Sequence, residues 1–452
     1  MAENTREIIL DTLLTLEREQ EFSNKLIKAV LDKYDYLDGK EKSFIKRVTE
    51  GTIERQIELD YYLDHFSSVP VRKMKPLIRC LMRMSVYQLL FMDAVPDSAV
   101  CNEACKLAVK RKFVNLKGFV NGVLRSIARS KDAMPLPDPK DRINYLHVKY
   151  SSPKWLVEYW TDCYGDEVTE NMLEGLLKIH PVSLRFRTDC PETQREQFIG
   201  AISGTGVRLT KSTLLPYVYY AENVENVALL PGYEEGAFTV QDVSSAMAVE
   251  TAGIRSGDFV IDVCAAPGGK SLLAAEKVRG DGADCSGGGE DNIAADRSNC
   301  GRVLSRDISE NKVALIEENI ARMGADNVVT EVHDATVPDE RYVEQADVVL
   351  MDVPCSGLGV MGKKRDIKYH VTPQSLTEIV KLQKQIVESC WQYVKPGGVL
   401  LYSTCTVNPK ENEEMVRWIT ANFPFVLEEE RQLFPGMDEC DGFFYARLRR
   451  MN

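Results

Sequence analysis

The residues most able to do chemistry are two cysteines and the carboxylate that accompanies them. Asp352 follows the apolar run 347–351 and leads directly into Cys355, and Cys405 comes soon after the apolar run 399–402. Short apolar runs are typical of buried parallel strands, and the functional side chains of such sheets lie at the strand ends. Two thiols beside a carboxylate fit nucleophilic catalysis, in which a thiolate forms a covalent intermediate.

Cytosine is a substrate that needs such a nucleophile, because its carbon 5 becomes reactive only after a thiolate has added at carbon 6. Asp352 near the ring nitrogen would hold a proton there, and a second thiol or base would assist loss of the carbon 5 proton. The attacking sulfur must be a thiolate, which requires positive charge nearby. The candidates to supply that charge are Lys363, Lys364, Arg365 and Lys368.

A tight turn at 262–271 is the second candidate site. It lies between the apolar run 258–261 and a helical pattern that starts at 272, so a ligand there would sit at the carboxyl end of a parallel sheet. A phosphate-binding loop does not fit, because the glycine it needs five positions before Gly269 is Cys264. An ordinary strand-to-helix turn stays open from this stretch alone. Its candidate binding residues are Cys264, Ala265, Ala266, Pro267, Gly268, Gly269 and Lys270.

Two further acids follow predicted strands of the same region. Asp307 closes the strand predicted from 302, where a carboxylate can accept hydrogen bonds from ribose hydroxyls, and Asp334 follows the pattern 327–333, well placed beside an adenine-type ring. A single acid at a strand end is often only a helix cap. Four strands that each end in a polar or reactive residue favour a binding site instead.

The elements that must position these residues form the last of several predicted domains. From about residue 256 strand and helix patterns alternate, which predicts a doubly wound, mostly parallel α/β sheet, and the first part of the chain has apolar residues at helical spacing throughout. The expected layout is an all-α domain at 1–131, a proline-containing linker at 132–140, a small α+β module at 141–255 and the α/β domain at 256–452, with a flexible insertion at 276–301.

Charge is unevenly distributed along the chain. The net charge of −12 argues mildly against a nucleic-acid partner, yet residues 106–131 hold eight Lys or Arg and no Asp or Glu. A solvated helix face is the usual explanation of such a run, but a local patch that contacts phosphates would need this asymmetry. We expect RNA contact here and at a second basic group, Arg72, Lys73, Lys75, Arg79 and Arg83. Arg185 and Arg187, on a strand predicted at 182–187, would face RNA or simply be exposed.

Composition limits the remaining possibilities. The sequence has no apolar run long enough to span a bilayer, and its start lacks the apolar core of a signal peptide. Twelve cysteines without regular spacing indicate reduced thiols and a cytoplasmic protein. Cys101 and Cys105 are expected to be a buried apolar pair, because no further ligands complete a zinc site. We expect a monomer without a metal.

Several motifs together resemble those of the RNA cytosine-5 methyltransferases that use S-adenosylmethionine, and the front of the chain resembles the NusB-like RNA-binding helical domain. The methyltransferase motifs are the turn given above, Asp352-Val353-Pro354-Cys355-Ser356-Gly357-Leu358-Gly359, Asp366-Ile367-Lys368-Tyr369, Ser403-Thr404-Cys405-Thr406, Asn408-Pro409-Lys410-Glu411-Asn412-Glu413 and Asp441-Gly442-Phe443-Phe444. The NusB-like motifs are Leu81-Met82-Arg83-Met84-Ser85-Val86-Tyr87-Gln88-Leu89, Val100-Cys101-Asn102-Glu103-Ala104 and Phe119-Val120-Asn121-Gly122-Val123-Leu124-Arg125. Val353 and Arg365 depart from the common pattern, which has alanine and proline there.

The resemblance implies a Rossmann-like methyltransferase domain and assigns roles to the candidate residues. Cys405 would be the nucleophile and Cys355 the thiol that assists product release, while the turn, Asp307, Asp334 and Asp352 would contact S-adenosylmethionine. The expected substrate is small-subunit ribosomal RNA. The alternatives are a transfer RNA target, a DNA-type cytosine-5 methyltransferase with Cys355 as nucleophile, and a non-catalytic RNA-binding or ribosome assembly factor.

Overall fold

The computed structural model describes residues 4–19, 22–178, 181–279 and 301–452, and it divides the chain into two compact units. The first unit comprises Met1–Leu177 and Met361–His370, and the second comprises Lys178–Val360 and Val371–Asn452. The expected multidomain class, with a helical front and a Rossmann-like sheet domain, is confirmed. The helices at 142–177 group with the first unit, whereas the sequence pattern assigns residues 141–255 to a middle module. The expected domain boundaries stay predictions.

The first unit is helical in its described part. Apolar side chains at helical spacing form one core, in which Ile9, Leu10, Leu63 and Leu81 are fully buried, and the expected burial of Cys101 and its neighbour Cys105 is confirmed. The helices are α1 (Thr5–Glu19), α2 (Ser23–Lys33), α3 (Gly39–Glu54), α4 (Gln56–Phe66), α5 (Pro76–Phe91), α6 (Asp97–Lys110), α7 (Lys117–Ser130), α8 (Arg142–Lys149), α9 (Lys154–Tyr164) and α10 (Asp166–Leu177).

The second unit contains two sheets and most of the later helices. The strands are β1 (Val182–Phe186), β2 (Arg208–Lys211), β3 (Val218–Glu222), β4 (Phe238–Val240), β5 (Phe259–Asp262), β6 (Arg302–Asp307), β7 (Val328–Val332), β8 (Ala346–Asp352), β9 (Val394–Thr404), β10 (Phe425–Leu433) and β11 (Phe443–Arg450). The helices are α11 (Glu192–Ser203), α12 (Val243–Ala252), α13 (Gly269–Arg279), α14 (Glu310–Met323), α15 (Ile367–His370), α16 (Pro373–Cys390) and α17 (Glu413–Asn422), of which α15 belongs to the first unit.

The seven-stranded sheet positions the candidate site. Its order is β10-β11-β9-β8-β5-β6-β7, with parallel pairing from β9 through β7 and an antiparallel edge formed by β11 and β10. Residues on its two faces alternate between two apolar layers, one packed on α12 and α13 and the other on α16 and α17. The chain changes direction between β5 and β8, and ligands of such sheets bind at the carboxyl ends of the strands flanking that point.

The four-stranded antiparallel sheet, β2-β3-β1-β4, gives Arg185 a role that the sequence did not indicate. The Arg185 side chain is fully buried; its Nη1 donates to Glu276 Oε1 and Oε2 at 2.7 and 2.9 Å, and its Nε donates to Gln241 Oε1 at 2.6 Å. Both expectations for this residue, an RNA-facing or an exposed side chain, are therefore wrong. Arg187 is half-buried and pairs with Asp189.

Glu276 also corrects the expected start of the insertion. Helix α13 continues to Arg279, because Glu276 accepts from Arg185 and Val278 packs in the core, so residues 276–279 are helical and not part of a flexible stretch. The expectation of a flexible insertion over the following residues, 280–300, lies outside the described residues. Among the described residues, no helix combines the length and the apolar character needed to cross a membrane.

The segment Met361–His370 leaves the sheet domain and packs within the first unit. Lys368 is buried, and its Nζ donates to the carbonyl oxygens of Glu54 and Ser151, both at 2.6 Å. Arg365 Nη1 lies 2.8 Å from Glu54 Oε2, and the Tyr369 hydroxyl donates to the carbonyl of Ile53 at 2.9 Å. Arg365 and Lys368 thus have partners in the first unit, and their supply of positive charge to the thiols stays a prediction.

The buried ion pair yields a stability prediction. Replacing Arg185 by Met leaves the Glu276 carboxylate buried without its cation, and breaking such a pair from one side costs about 3–5 kcal/mol. We expect the free energy of unfolding of Arg185→Met, measured by urea titration, to fall by that amount. Arg208→Met is the matched control, because Arg208 is exposed and 3.5 Å from Glu222, and exposed pairs contribute at most about 1 kcal/mol. Equal effects of the two variants would contradict the assignment.

The buried amine of Lys368 yields a pH prediction. Burial lowers the pKa of Lys368 from 10.5 to about 7, so between these values the unfolded chain binds more protons than the folded one and stability rises with pH. The melting temperature of the wild type minus that of Lys368→Met should therefore be larger at about pH 9.5 than at about pH 6.5. The exposed Lys364, changed to Met, serves as control, and a difference that does not grow with pH would refute the prediction.

Candidate active site

The two thiols meet at the carboxyl ends of neighbouring parallel strands. Strands β8 and β9 pair so that Asp352 lies opposite Ser403 at the end of the register. Cys355 follows Asp352 by three residues, and Cys405 follows Ser403 by two. The Sγ atoms of Cys355 and Cys405 are 3.1 Å apart, and both side chains are partly exposed free thiols. This is a hydrogen-bonding contact between thiols, since a disulfide bond measures about 2.05 Å. The structure thus brings together the two cysteines that the sequence placed at strand ends.

Asp352 is fixed by two donors at the same edge of the sheet. The Lys270 Nζ donates to Asp352 Oδ2 at 2.7 Å, and the Ser403 hydroxyl donates to Oδ1 at 2.9 Å. Lys270 is buried and also lies 5.2 Å from the ring centroid of Phe443. An ion pair therefore joins the glycine turn to the strand that leads into the Cys355 loop. The sequence did not predict it, because Lys270 and Asp352 are separated by 82 positions.

The environment of Cys355 favours its protonated form. The pKa of the Cys355 thiol is raised well above its ordinary value, first by the hydrogen bond with Cys405, then by burial, and further by the negative charges of Glu411 and Asp352. Cys355 is therefore a thiol at neutral pH. A protonated Cys355 can donate its S–H to the sulfur of Cys405.

The turn after β5 has a local structural cause. Gly268 adopts φ of +102°, which an L side chain rarely accepts, and its backbone N–H donates to the carbonyl of Ala265 at 2.7 Å. A Cβ on Gly268 would also lie 3.2 Å from Cγ2 of Ile316. Pro267 and Ala266 complete the turn, which leads directly into the start of α13.

Buried polar groups hold this turn onto the sheet. Asp262, the last residue of β5, accepts from the Ser271 hydroxyl at 2.7 Å, and that hydroxyl also contacts the hydroxyl of Ser305 at 2.8 Å. Complete burial raises the pKa of Asp262 to about 7. Cys264 contacts the apolar layer on the other side, and burial raises the pKa of its thiol well above the ordinary value. These contacts hold the backbone of the turn against the sheet.

The two other acids have acceptor capacity left for a bound nucleoside. Asp307 accepts from Ala266 N at 2.9 Å, from Ile308 N at 2.8 Å and from Lys312 Nζ at 2.9 Å, whereas an ionised carboxylate has about four lone-pair positions. Asp334 accepts from the backbone N–H and hydroxyl of Thr336 through Oδ1, at 2.9 and 2.7 Å, and these bonds lower its pKa. Acceptors at strand ends beside a turn with two adjacent glycines fit a cofactor with ribose hydroxyls and an adenine amine.

The buried carboxylate of Glu411 joins the two cysteine loops through hydrogen bonds that the sequence did not indicate. Glu411 is fully buried and accepts from Ser356, Asn408 and Gln383. The sequence carries a signal for Gln383, because it is a polar residue at a buried position among the apolar residues of α16. Glu411 stood inside a matching motif, but a motif match assigns no partner. Only the fold reveals what its carboxylate binds.

Comparison with known proteins bears on both units. Residues 281–449 match the family model described as 16S rRNA methyltransferase RsmB/F, and residues 3–129 match the NusB family. The chain is 32% identical over 476 aligned positions to the probable ribosomal RNA small subunit methyltransferase B of Bacillus subtilis (strain 168), covering 99% of each chain. It is 29% identical to the ribosomal RNA small subunit methyltransferase B of Proteus mirabilis (strain HI4320), covering 92% of each.

Solved structures share the fold. The crystal structure of PH0851 has a TM-score of 0.77 and 25% identity over the full length of both chains. A methyltransferase homolog protein from Pyrococcus horikoshii has a TM-score of 0.55 and 22% identity, covering 69% of this chain and 99% of that one.

Fold and site together define an S-adenosylmethionine-dependent methyltransferase with a NusB-type helical front. The sheet order, the match to the methyltransferase family model and the two relatives place it in that class. The chain belongs to the family of 16S rRNA methyltransferases RsmB/F, as its match to the probable ribosomal RNA small subunit methyltransferase B of Bacillus subtilis shows.

Gly268 offers a test of the turn as the cofactor site. Gly268→Ala combines a positive φ with a close contact to Ile316, and we expect it to weaken S-adenosylmethionine binding by about tenfold or more, as measured by isothermal titration calorimetry. Gly257→Ala is the matched control, since Gly257 has φ of +86° but an added Cβ would meet nothing within 4 Å. Equal loss of binding in both variants would argue against the turn.

Proposed function

We propose that this protein transfers a methyl group to carbon 5 of a cytosine in small-subunit ribosomal RNA, through a covalent adduct between Cys405 and carbon 6. The observation that carries the proposal is the 3.1 Å contact between the sulfurs of Cys355 and Cys405 beside Asp352. One thiol would suffice for a simple nucleophile. Two in contact fit a reaction that needs both an attacking sulfur and a second group to complete the release of the product.

The protonated state of Cys355 favours Cys405 as the nucleophile. Cys355 is held in its protonated form, and an S–H donated to the Cys405 sulfur stabilises a thiolate there, because a hydrogen bond to the charged form favours it. The Cys405 thiolate attacks carbon 6, and electron density moves to carbon 5. Carbon 5 then takes the methyl group. Once the Cys355 proton has passed to solvent, the Cys355 thiolate would accept the carbon 5 proton, after which the bond from carbon 6 to Cys405 breaks and Cys405 leaves as a thiolate.

Asp352 would orient and polarise the base. Its carboxylate is held by Lys270 and Ser403, so it can keep a proton at the pyrimidine ring nitrogen while the thiolate adds. The residues that would hold the cofactor are those of the glycine turn with Asp307 and Asp334, and S-adenosylmethionine bound there supplies the methyl group. A stacked base is out of reach of a thiol, so the target cytosine must be extruded from its helix.

The helical unit is the proposed RNA-contacting part. Lys112, Lys117, Arg125 and Arg129 of the basic stretch are exposed, and exposed ion pairs such as Lys110 with Glu7 are weak enough for a phosphate to compete. The second basic group is only partly available. Arg79 and Arg83 form ion pairs with Glu17 and Asp60, whereas Arg72, Lys73 and Lys75 are exposed. We expect the protein to act as a cytoplasmic monomer without a metal.

Removal of each thiol separates the proposed roles. The wild type, Cys405→Ala and Cys355→Ala are incubated with unmodified 16S ribosomal RNA and methyl-labelled S-adenosylmethionine. We expect Cys405→Ala to form no labelled 5-methylcytosine, because carbon 5 is not activated, and Cys355→Ala to accumulate a protein–RNA adduct on a denaturing gel, because release fails. Cys190→Ala, which alters a half-buried thiol on the four-stranded-sheet side of the second unit, is the control and should retain activity.

Each alternative has its own outcome in that assay. Retained activity in Cys405→Ala with loss in Cys355→Ala would assign the nucleophile as in DNA cytosine-5 methyltransferases. Labelled transfer RNA in a parallel reaction, with unlabelled 16S RNA, would move the substrate to the transfer RNA. RNA binding without methylation of either RNA would favour an assembly factor.

A further inference from the structure

Glu411 lies between β9 and α17, and its side chain is fully buried. Its Oε2 accepts from the backbone N–H of Ser356 at 2.9 Å and from Gln383 Nε2 at 3.0 Å. Its Oε1 accepts from the Ser356 hydroxyl at 2.5 Å and from Asn408 Nδ2 at 2.7 Å. Burial raises the pKa of the Glu411 carboxyl, and the four hydrogen bonds act in the opposite direction.

These donors come from three separate parts of the second unit. Ser356 is the residue after Cys355 in the loop beyond β8, and Asn408 lies three residues after Cys405 in the loop beyond β9. Gln383 comes from α16, where its Nε2 also donates to the carbonyl of Pro354 at 3.0 Å. The peptide segment on each side of Cys355 is therefore tied to a group that Glu411 binds.

Two further contacts join the same loops. The hydroxyls of Ser356 and Thr406 are 2.7 Å apart, and Thr406 Oγ1 accepts from the N–H of Leu358 at 3.2 Å. The N–H of Gly359 donates to the carbonyl of Cys405 at 3.3 Å. The residues that immediately follow each cysteine thus interlock. Glu411 binds both cysteine loops, through Ser356 and Asn408, and also binds Gln383 of α16.

We propose that Glu411 is the positioning residue that holds the thiol of Cys355 against that of Cys405; its importance for methyl transfer rests on the function proposed above. The carboxylate does not touch the reacting sulfurs. It acts through Ser356 and Asn408, by fixing the loop that carries each cysteine. A rigid supporting group of this kind is what a two-thiol mechanism requires, because misplacement by about 1 Å can cost roughly a hundredfold in rate.

The chemistry of the site explains why the residue is an acid. Three N–H groups and one hydroxyl converge on it, and an ionised carboxylate is an acceptor only, with two oxygens that can take all four. Glutamine has the same size, but its NH₂ group would point a donor at other donors. At least one of the two cysteine loops would then lose its attachment.

The distance between the thiols can be measured without any assay of activity. Diamide oxidises two adjacent thiols to a disulfide and is itself reduced to the hydrazine, so its rate of reaction reports how readily the two sulfurs meet. We expect the wild type to form the Cys355–Cys405 disulfide rapidly, as identified by mass spectrometry of peptides, and Glu411→Gln to form it about tenfold or more slowly. Glu414→Gln, which changes an exposed acid three residues away, should react like the wild type.

Single-turnover and steady-state kinetics with 16S ribosomal RNA complete the test. In Glu411→Gln we expect kcat to fall about tenfold or more while KM for S-adenosylmethionine stays unchanged, because the glycine turn is not attached to Glu411. Ser356→Ala, which removes one hydroxyl donor and no charge, should lie between the wild type and Glu411→Gln in both measurements. It also provides the comparison if the melting temperature shows that Glu411→Gln is not folded.

The two measurements distinguish an incorrect positioning role for Glu411 from an incorrect methylation reaction. The positioning role would be overturned if folded Glu411→Gln formed the disulfide and methylated RNA at wild-type rates. If Glu411→Gln does not fold, the same result in Ser356→Ala would overturn it. Slow disulfide formation in the variant, with no methylation of RNA by the wild type, would retain the positioning role and reject the reaction.

Discussion

The parallel pairing of β8 with β9 is the constraint on which the site depends. Parallel neighbours end at the same edge of a sheet, and the register that sets Asp352 opposite Ser403 brings the following residues of both strands side by side. The pairing continues one residue past β8, where the N–H of Val353 donates to the carbonyl of Ser403 at 3.1 Å. The thiols of Cys355 and Cys405 meet because their two loops start from the paired ends of β8 and β9.

Buried polar groups then determine the geometry that the apolar layers leave open. Hydrophobic packing is not directional, so it can bring strands and helices together without fixing how a loop leaves a strand end. Glu411 fixes the cysteine loops, the pair of Lys270 with Asp352 joins the glycine turn to them, and Arg185 with Glu276 anchors the helix that starts at that turn. Glu411, Lys270 and Arg185 are buried and each has a partner, because an unpaired charge in the interior would be costly.

The helical unit includes residues 361–370, which come from much later in the sequence than its other helices. Lys368 and Tyr369 bond to backbone carbonyls at the end of α3, and Asp366 accepts from the N–H of Ser23. The segment begins immediately after the loop that carries Cys355. The NusB-type domain and the methyltransferase domain are therefore not simply consecutive in this chain. Removing the methyltransferase domain would also remove residues 361–370, which are part of the helical unit.

The sequence by itself determined the fold class, the candidate catalytic and binding residues, and the strands at whose ends these candidates lie. Those conclusions depend on local pattern, namely apolar periodicity, glycines at a turn and reactive side chains after strands, and local pattern is present in the linear chain. Only the tertiary structure decided which of these residues share a contact. The register of β8 and β9, the burial of Arg185, the pairing of Lys270 with Asp352 and the donors gathered by Glu411 all join positions far apart in sequence, and such partners are set by how the sheet and its helices pack.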